Sequence, residues 1–111
     1  MESFNKIEKR VPDKRKELIN GLREKGIENP EVLSALNAWT IEQEEKVETA
    51  GNTPEARVKL EIDRAKLYAE SDYIDEALDT LYDALYIAQS EGLYDFEGEI
   101  RKEIRVLDLI E

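Results

Sequence analysis

Residues 65–78, with the sequence Ala-Lys-Leu-Tyr-Ala-Glu-Ser-Asp-Tyr-Ile-Asp-Glu-Ala-Leu, contain the end of one predicted helix, a short turn and the start of the next. Ser71 and Asp72 interrupt the apolar pattern, and both residue types favour turns and helix ends. On either side of this turn, apolar residues recur at spacings of three and four, which is the period of a helix with one buried face. The stretch therefore predicts a helical hairpin.

Similar signals separate the remaining helices along the chain. Asn29–Pro30 and Thr53–Pro54 each place a capping side chain before a proline at the first helical position, where a missing amide hydrogen costs nothing. Gly92 is expected in the left-handed conformation that ends a helix, and Asp72 is expected to cap the helix that follows it. We predict a basic helix within 4–25, continuous or broken at Pro12, and further helices over about 30–50, 54–71, 73–91 and 93–110.

Each of the last four predicted helices carries an apolar stripe, and no segment shows the two-residue alternation of a strand. With 111 residues, 41% of them hydrophobic, the chain has material for one core. We therefore predict a single all-α domain over residues 1–111, made of about five antiparallel helices. The predicted core positions are Val32, Leu36, Trp39, Val47, Val58, Ile62, Ala65, Ala69, Ile74, Leu78, Leu81, Leu85, Ala88, Leu93, Phe96, Ile100, Ile104 and Leu107.

The composition excludes several kinds of chemistry. The chain has no histidine and no cysteine, which rules out Ser-His-Asp and Cys-His catalysis, imidazole and thiolate metal sites, and disulfides. The N-terminus is charged and lacks the apolar run of a secretory signal, and no window has the length and apolarity of a membrane span. We therefore expect a cytoplasmic protein with no membrane partner, which is compatible with the absence of cysteine.

The formal charge of −11 is unevenly distributed. Residues 1–30 contain eight basic and six acidic side chains, whereas residues 67–100 contain ten acidic side chains and no lysine or arginine. The acidic part would repel phosphate, so nucleic acid could bind only the basic N-terminal segment, 1–28. A solvated helix face, or ion pairs with the acidic half of the chain, explain this segment more simply. The segment is expected to be helical, and the sequence leaves open whether it packs on the domain or moves freely.

The predicted helices around residues 58–89 resemble one tetratricopeptide repeat, a 34-residue helix-turn-helix unit. Ala65 and Tyr68 match the small and aromatic positions of the family's first helix. Ala77, Leu81 and Ala84 match the small, large and small positions of its second helix. Because a single repeat cannot bury both of its faces, the resemblance implies that the flanking helices cap it.

The sequence differs from the family pattern in the first helix, where Glu61 and Arg64 stand at the positions of an early tryptophan and leucine. Members of the family are similar in using the inner face of that helix to bind peptides or partner proteins. Carried over position by position, the binding face would comprise Lys59, Ile62, Lys66, Ala69 and Glu70. The resemblance implies a small, non-catalytic protein-interaction module or adaptor with no cofactor and no bound metal.

The fourth predicted helix carries an unusual charge pattern. Asp75, Asp79 and Asp83 lie four residues apart and opposite the apolar stripe, a spacing at which like charges destabilise a helix by roughly 0.2–0.5 kcal/mol per pair. Tyr82 and Tyr86 belong to the same acidic region, and tyrosine beside carboxylate suits recognition of lysine- or arginine-rich segments. We therefore predict a protein or peptide partner with a basic segment, contacted by both tyrosines.

Three alternatives stay open. The aspartates could be neutralised within the chain, by Arg64, Lys66, Arg101 and Lys102. A second copy could cover the terminal helices and form a homo-oligomer.

The third alternative is an enzyme. The carboxylates of Glu44–Glu48 (EExxE) and Glu76–Asp79 (ExxD) are similar to the magnesium-binding pattern of all-α MazG-type nucleotide pyrophosphohydrolases, and this resemblance implies a magnesium-dependent hydrolase.

Overall fold

Five α-helices make up most of the described part of the chain. The structure, a computed structural model, describes residues 14–110. The helices are α1 (Lys14–Lys25), α2 (Pro30–Thr49), α3 (Pro54–Glu70), α4 (Ile74–Ser90) and α5 (Tyr94–Ile110). No strand occurs in this part of the chain, which confirms the predicted all-α class. The predicted first part of the basic helix, including Pro12, lies outside the described residues.

Side-chain caps explain where α2 and α3 begin. Asn29 Oδ1 accepts the backbone N–H groups of Glu31 and Val32, with N–O distances of 2.9 and 3.2 Å. Thr53 Oγ1 accepts the N–H of Ala56 at 3.1 Å. Both caps were predicted from a capping residue followed by proline, because the first amides of a helix have no partner within the helix.

Helices α2, α3 and α4 end in a similar way, with a left-handed residue, followed after α2 by a second at Asn52, and with an amide that bonds back to the helix. The left-handed residues Gly51, Asp72 and Gly92 have φ of 93°, 69° and 69°. After each of them, the next N–H donates to the carbonyl five residues earlier, at 2.8, 2.9 and 2.8 Å. The predicted role of Asp72 was therefore wrong, because it ends α3, and Tyr73 precedes α4 without a side-chain cap.

The closest packing in the molecule is between α3 and α4, followed by that between α4 and α5. Small residues make this possible, because Ala65 on α3 and Ala77 and Ala84 on α4 are fully buried and let the two helix backbones approach. Helix α3 also contacts α1 and α5, whereas α2 contacts only α1 and α3 among the described helices. Helix α3 therefore lies at the centre of the described helices, in contact with each of the other four.

One continuous apolar core runs through all five helices. Most predicted core positions are buried, and Ala69, Ile74, Leu93 and Phe96 are half-buried against the core. No core residue was predicted in α1, yet Leu18 and Leu22 are only 4% and 1% exposed. Their burial holds α1 against the rest of the domain. Within residues 14–110, no helix combines the length and apolarity needed to cross a membrane.

Candidate protein-interaction surface

One face of α4 carries Asp75, Asp79, Tyr82, Asp83 and Tyr86, and we call these five residues the acidic tyrosine face. All five are exposed, with 52% of the surface of Tyr82 and 72% of that of Tyr86 accessible to solvent. The opposite side of the same helix supplies core residues, which hold α4 in place. The face is therefore presented to solvent from a rigid element.

In the described part of the chain, neighbouring helices form no ion pair with the aspartates of this face. Within residues 14–110, no ion pair includes Asp75, Asp79 or Asp83. Two cations predicted to neutralise them pair elsewhere, since Arg64 lies 3.6 Å from a carboxylate oxygen of Glu61 and Arg101 lies 3.1 Å from one of Glu97. The alternative of compensation by ion pairs within the chain is therefore wrong for the described part, and the aspartates can attract an external cation.

The face predicted from the repeat resemblance lies on α3. It comprises Lys59, Ile62, Lys66, Ala69 and Glu70. The two lysines and Glu70 are exposed and Ala69 is half-buried, but Ile62 is only 4% exposed and belongs to the core. We therefore correct the prediction for Ile62, which stabilises the domain by packing and presents no surface to a partner. Glu70 pairs with Arg15 of α1, so α1 lies beside one end of this face.

The basic side chains of α1 are largely used within the chain. Four ion pairs connect this helix to α2, to α3 and to the turn before α4. They are Lys14–Glu42, Arg15–Glu70, Arg23–Asp72 and Lys25–Glu31. They confirm, for α1, the prediction that N-terminal cations pair with the acidic half of the chain, although exposed pairs are each worth little. Of the other predicted N-terminal cations, Lys6, Lys9 and Arg10 lie outside the described residues.

The two parts of the magnesium-like pattern lie on different helices. Glu44–Glu48 belongs to α2 and Glu76–Asp79 to α4, and these two helices do not contact each other in the part of the chain that the structure describes. No group of three or more acidic side chains within residues 14–110 is arranged to hold a metal ion. The structure thus does not bring the two parts of the pattern together.

A partly buried carboxylate, Glu61 on α3, lies among charged groups of three helices. Its side chain is 12% exposed. Burial raises its pKa above the usual range, Arg64 and Arg57 oppose that rise, and Asp83 of the acidic tyrosine face adds to it. The Nε atom of Arg64 is buried, and among residues 14–110 it has no hydrogen-bond partner. Glu61 is therefore held in an environment that favours its neutral form more than water does.

We expect Glu61→Gln to change the pH dependence of stability. The folded-state pKa of Glu61 lies above its unfolded value, so the folded state binds this proton more tightly. The stability that Glu61 contributes is therefore highest below its ordinary pKa and falls as the pH rises through the raised value. Urea unfolding from about pH 4 to about pH 7 should show the wild type losing stability relative to Glu61→Gln.

Glu97→Gln provides the control for this measurement. Hydrogen bonds from Arg101 and Gln89 lower the pKa of Glu97, so the stability that Glu97 contributes is present above its ordinary pKa and is lost as the pH falls through the lowered value. The wild type should therefore gain stability relative to Glu97→Gln as the pH rises. If the free-energy difference between wild type and variant changed with pH in the same direction for both variants, the raised pKa of Glu61 would be contradicted.

A half-buried contact of Tyr73 is not predictable from the sequence pattern. The Tyr73 hydroxyl accepts the backbone N–H of Ile27 at 2.9 Å and donates to the carbonyl of Leu22 at 3.3 Å. It therefore connects the start of α4 to the end of α1, although 46 residues separate Tyr73 from Ile27. No local pattern reveals such a contact, because it depends on how distant helices pack.

Comparison with known proteins adds no relative. No protein-family profile matches the sequence, and neither a curated protein nor a solved structure matches it. The function is therefore inferred from the surface that this chain presents, and within residues 14–110 the acidic tyrosine face combines two exposed aromatic rings with three aspartates that form no ion pair.

Proposed function

We propose that this chain is a non-catalytic, cytoplasmic protein-interaction module whose acidic tyrosine face binds a lysine- or arginine-rich segment of a partner protein. The observation that carries the proposal is the exposure of Tyr82 and Tyr86 among three aspartates that form no ion pair within residues 14–110. The resemblance of α3 and α4 to a tetratricopeptide repeat supports it, because members of that family bind peptide segments. Self-association stays a separate prediction.

The geometry of α4 suits a partner whose cations are regularly spaced. Asp75, Asp79 and Asp83 are each one helical turn apart, about 6 Å along the axis. A tyrosine ring beside a carboxylate can hold a cation by both cation–π and ionic attraction, at about 0.5–1 kcal/mol for an exposed ring. Exposed ion pairs add about 0.2–1 kcal/mol each. We therefore expect weak binding of an isolated peptide, with a dissociation constant of about 0.2 mM or higher, and the affinity should fall with added salt.

The test is a titration of isotope-labelled full-length protein with a lysine- and arginine-rich peptide, followed by backbone amide shifts. We expect saturable shifts along α4, and none with a peptide in which glutamine replaces every basic residue. The double variant Tyr82→Ala/Tyr86→Ala should bind roughly five- to thirtyfold more weakly, because two cation–π contacts are lost. The matched control is Tyr94→Ala on α5, which removes an exposed tyrosine outside the face and should leave the affinity unchanged.

A second variant separates binding from folding. Asp79→Asn/Asp83→Asn removes a like-charge pair one turn apart, which should leave the free energy of unfolding unchanged or raise it by a few tenths of a kcal/mol. The same change should weaken binding of the basic peptide. If both double variants bind the peptide as tightly as the wild type, the acidic tyrosine face is not the binding site and the proposal is wrong.

A further inference from the structure

Helix α5 exposes two cations beside two apolar side chains. Lys102 and Arg105 are exposed, and within residues 14–110 neither of them forms an ion pair. Val106 is 49% exposed and Leu109 is 83% exposed. We call these four residues the basic apolar stripe. Because the opposite side of α5 packs into the core, the stripe is presented to solvent from a fixed helix.

The basic apolar stripe has the same spacing as part of the acidic tyrosine face. Four residues of that face stand at positions i, i+3, i+4 and i+7 of α4, namely Asp79, Tyr82, Asp83 and Tyr86. The stripe repeats this spacing on α5, from Lys102 to Leu109. Residues with these spacings share one side of a helix and here extend over about 10 Å. The two surfaces are therefore equal in length and in the placement of their side chains.

The two surfaces are complementary when α4 and α5 lie parallel and face to face. Each flank of a helix then meets the opposite flank of its partner, as in a parallel coiled coil. With Asp79 level with Lys102, each aspartate meets a cation and each tyrosine meets an apolar side chain. The opposed pairs are Asp79–Lys102, Asp83–Arg105, Tyr82–Val106 and Tyr86–Leu109. An antiparallel arrangement in the same register would place both aspartates against apolar side chains.

Such a parallel contact needs two molecules. Within one chain, only residues 91–93 separate α4 from α5, so these two helices run antiparallel. The exposed lysines of α3, Lys59 and Lys66, also form no ion pair among the described residues. However, Ile62 between them is buried, so that surface offers less apolar contact to the tyrosines of α4 than the basic apolar stripe does.

We propose that the acidic tyrosine face of one copy binds the basic apolar stripe of a second copy, with α4 and α5 parallel. This inference rests on the proposed function, because it names a basic segment that occupies the same face. The contact joins two different surfaces, so association can continue from copy to copy. Two helical turns from each copy bury far less than the roughly 1,200–2,000 Å² of stable complexes, so we expect weak association that depends on concentration.

The test uses two charge-reversed variants of the full-length chain, measured by analytical ultracentrifugation. Asp79→Lys/Asp83→Lys makes both surfaces basic, and Lys102→Glu/Arg105→Glu makes both surfaces acidic. The average mass of the wild type should rise with concentration to at least twice that of the monomer, whereas each variant alone should stay monomeric. An equimolar mixture of the two variants should associate again, because α4 of each is complementary to α5 of the other.

A matched control separates this contact from general repulsion between acidic chains. Lys46→Glu/Lys59→Glu has the same net charge as Lys102→Glu/Arg105→Glu, but changes exposed lysines of α2 and α3. This control should associate as the wild type does. The inference is overturned if the wild type stays monomeric, if the mixture of charge-reversed variants stays monomeric, or if the control loses association.

The basic peptide distinguishes failure of this inference from failure of the proposed function. Lys102→Glu/Arg105→Glu leaves the acidic tyrosine face unaltered and uncovered, so the peptide should shift the backbone amides of α4 saturably in this variant. If the peptide binds and the wild type nevertheless stays monomeric, the inference is wrong and the proposed function stands. If the peptide does not bind this variant, the proposed function is wrong, whereas the mixing experiment still decides the contact between copies.

Discussion

Leu81→Ala is expected to lower the free energy of unfolding by about 2–5 kcal/mol. Leu81 is 1% exposed and is among the largest fully buried side chains of the chain. It lies on α4, the helix that packs against both α3 and α5. The variant loses the transfer free energy of the side chain and leaves a cavity, because Ala77 and Ala84 beside it have no rotatable groups to fill the space.

This loss is large for a domain of this size, whose total stability is expected to be about 5–15 kcal/mol. Urea unfolding can be followed by circular dichroism and by the fluorescence of Trp39, the single tryptophan. The control is Leu33→Ala on α2, where 40% of the residue surface is already exposed, so the expected loss is about 1 kcal/mol or less. Equal losses in the two variants would contradict the assignment of Leu81 to the core.

Tyr73→Phe is expected to lower the free energy of unfolding by about 1–3 kcal/mol. The change removes one oxygen atom and leaves the aromatic ring in place. The backbone N–H of Ile27, which lies 2.9 Å from that oxygen in a half-buried position, would lose its partner. The carbonyl of Leu22 would lose a donor as well. Because both bonds join α1 to the start of α4, amide hydrogen exchange should accelerate most in α1 and in the turn after it.

Tyr82→Phe is the matched control for this variant. Tyr82 lies on the same helix and is 52% exposed, and within residues 14–110 its hydroxyl makes no hydrogen bond, so its stability should stay within about 0.5 kcal/mol of the wild type. Tyr73→Phe should bind the basic peptide as well as the wild type does, because the acidic tyrosine face is unaltered. An unchanged stability of Tyr73→Phe would show that its hydroxyl does not hold α1 in solution.

Local patterns in the sequence predicted most of the secondary structure and core. The helix starts at Pro30 and Pro54 were predicted because a capping residue precedes each proline. Such a cap involves only the first turn of the helix, so the local sequence is sufficient to predict it. The buried faces of α2 to α5 follow from apolar spacing, since residues three and four apart share one side of a helix. Asp72 was misassigned because aspartate suits both a cap and a left-handed helix end, and the choice depended on the backbone path.

The candidate sites were less predictable. Exposure of Tyr82 and Tyr86 could be anticipated, because they lie opposite the apolar stripe of α4. The repeat resemblance placed Ile62 on an exposed binding face, but Ile62 is buried. The resemblance could not indicate this, because the burial depends on how α1, α2, α4 and α5 pack around α3.

The sequence by itself therefore determined the helices, most of their ends, the apolar faces of α2 to α5 and the charge imbalance between the two parts of the chain. These features arise within one or two helical turns, where spacing and residue type are sufficient. The tertiary structure decided which charges pair, which tyrosine hydroxyl contacts α1 and which acidic face forms no ion pair within residues 14–110. Those outcomes depend on the register and angle at which distant helices pack, and many side chains share in setting them.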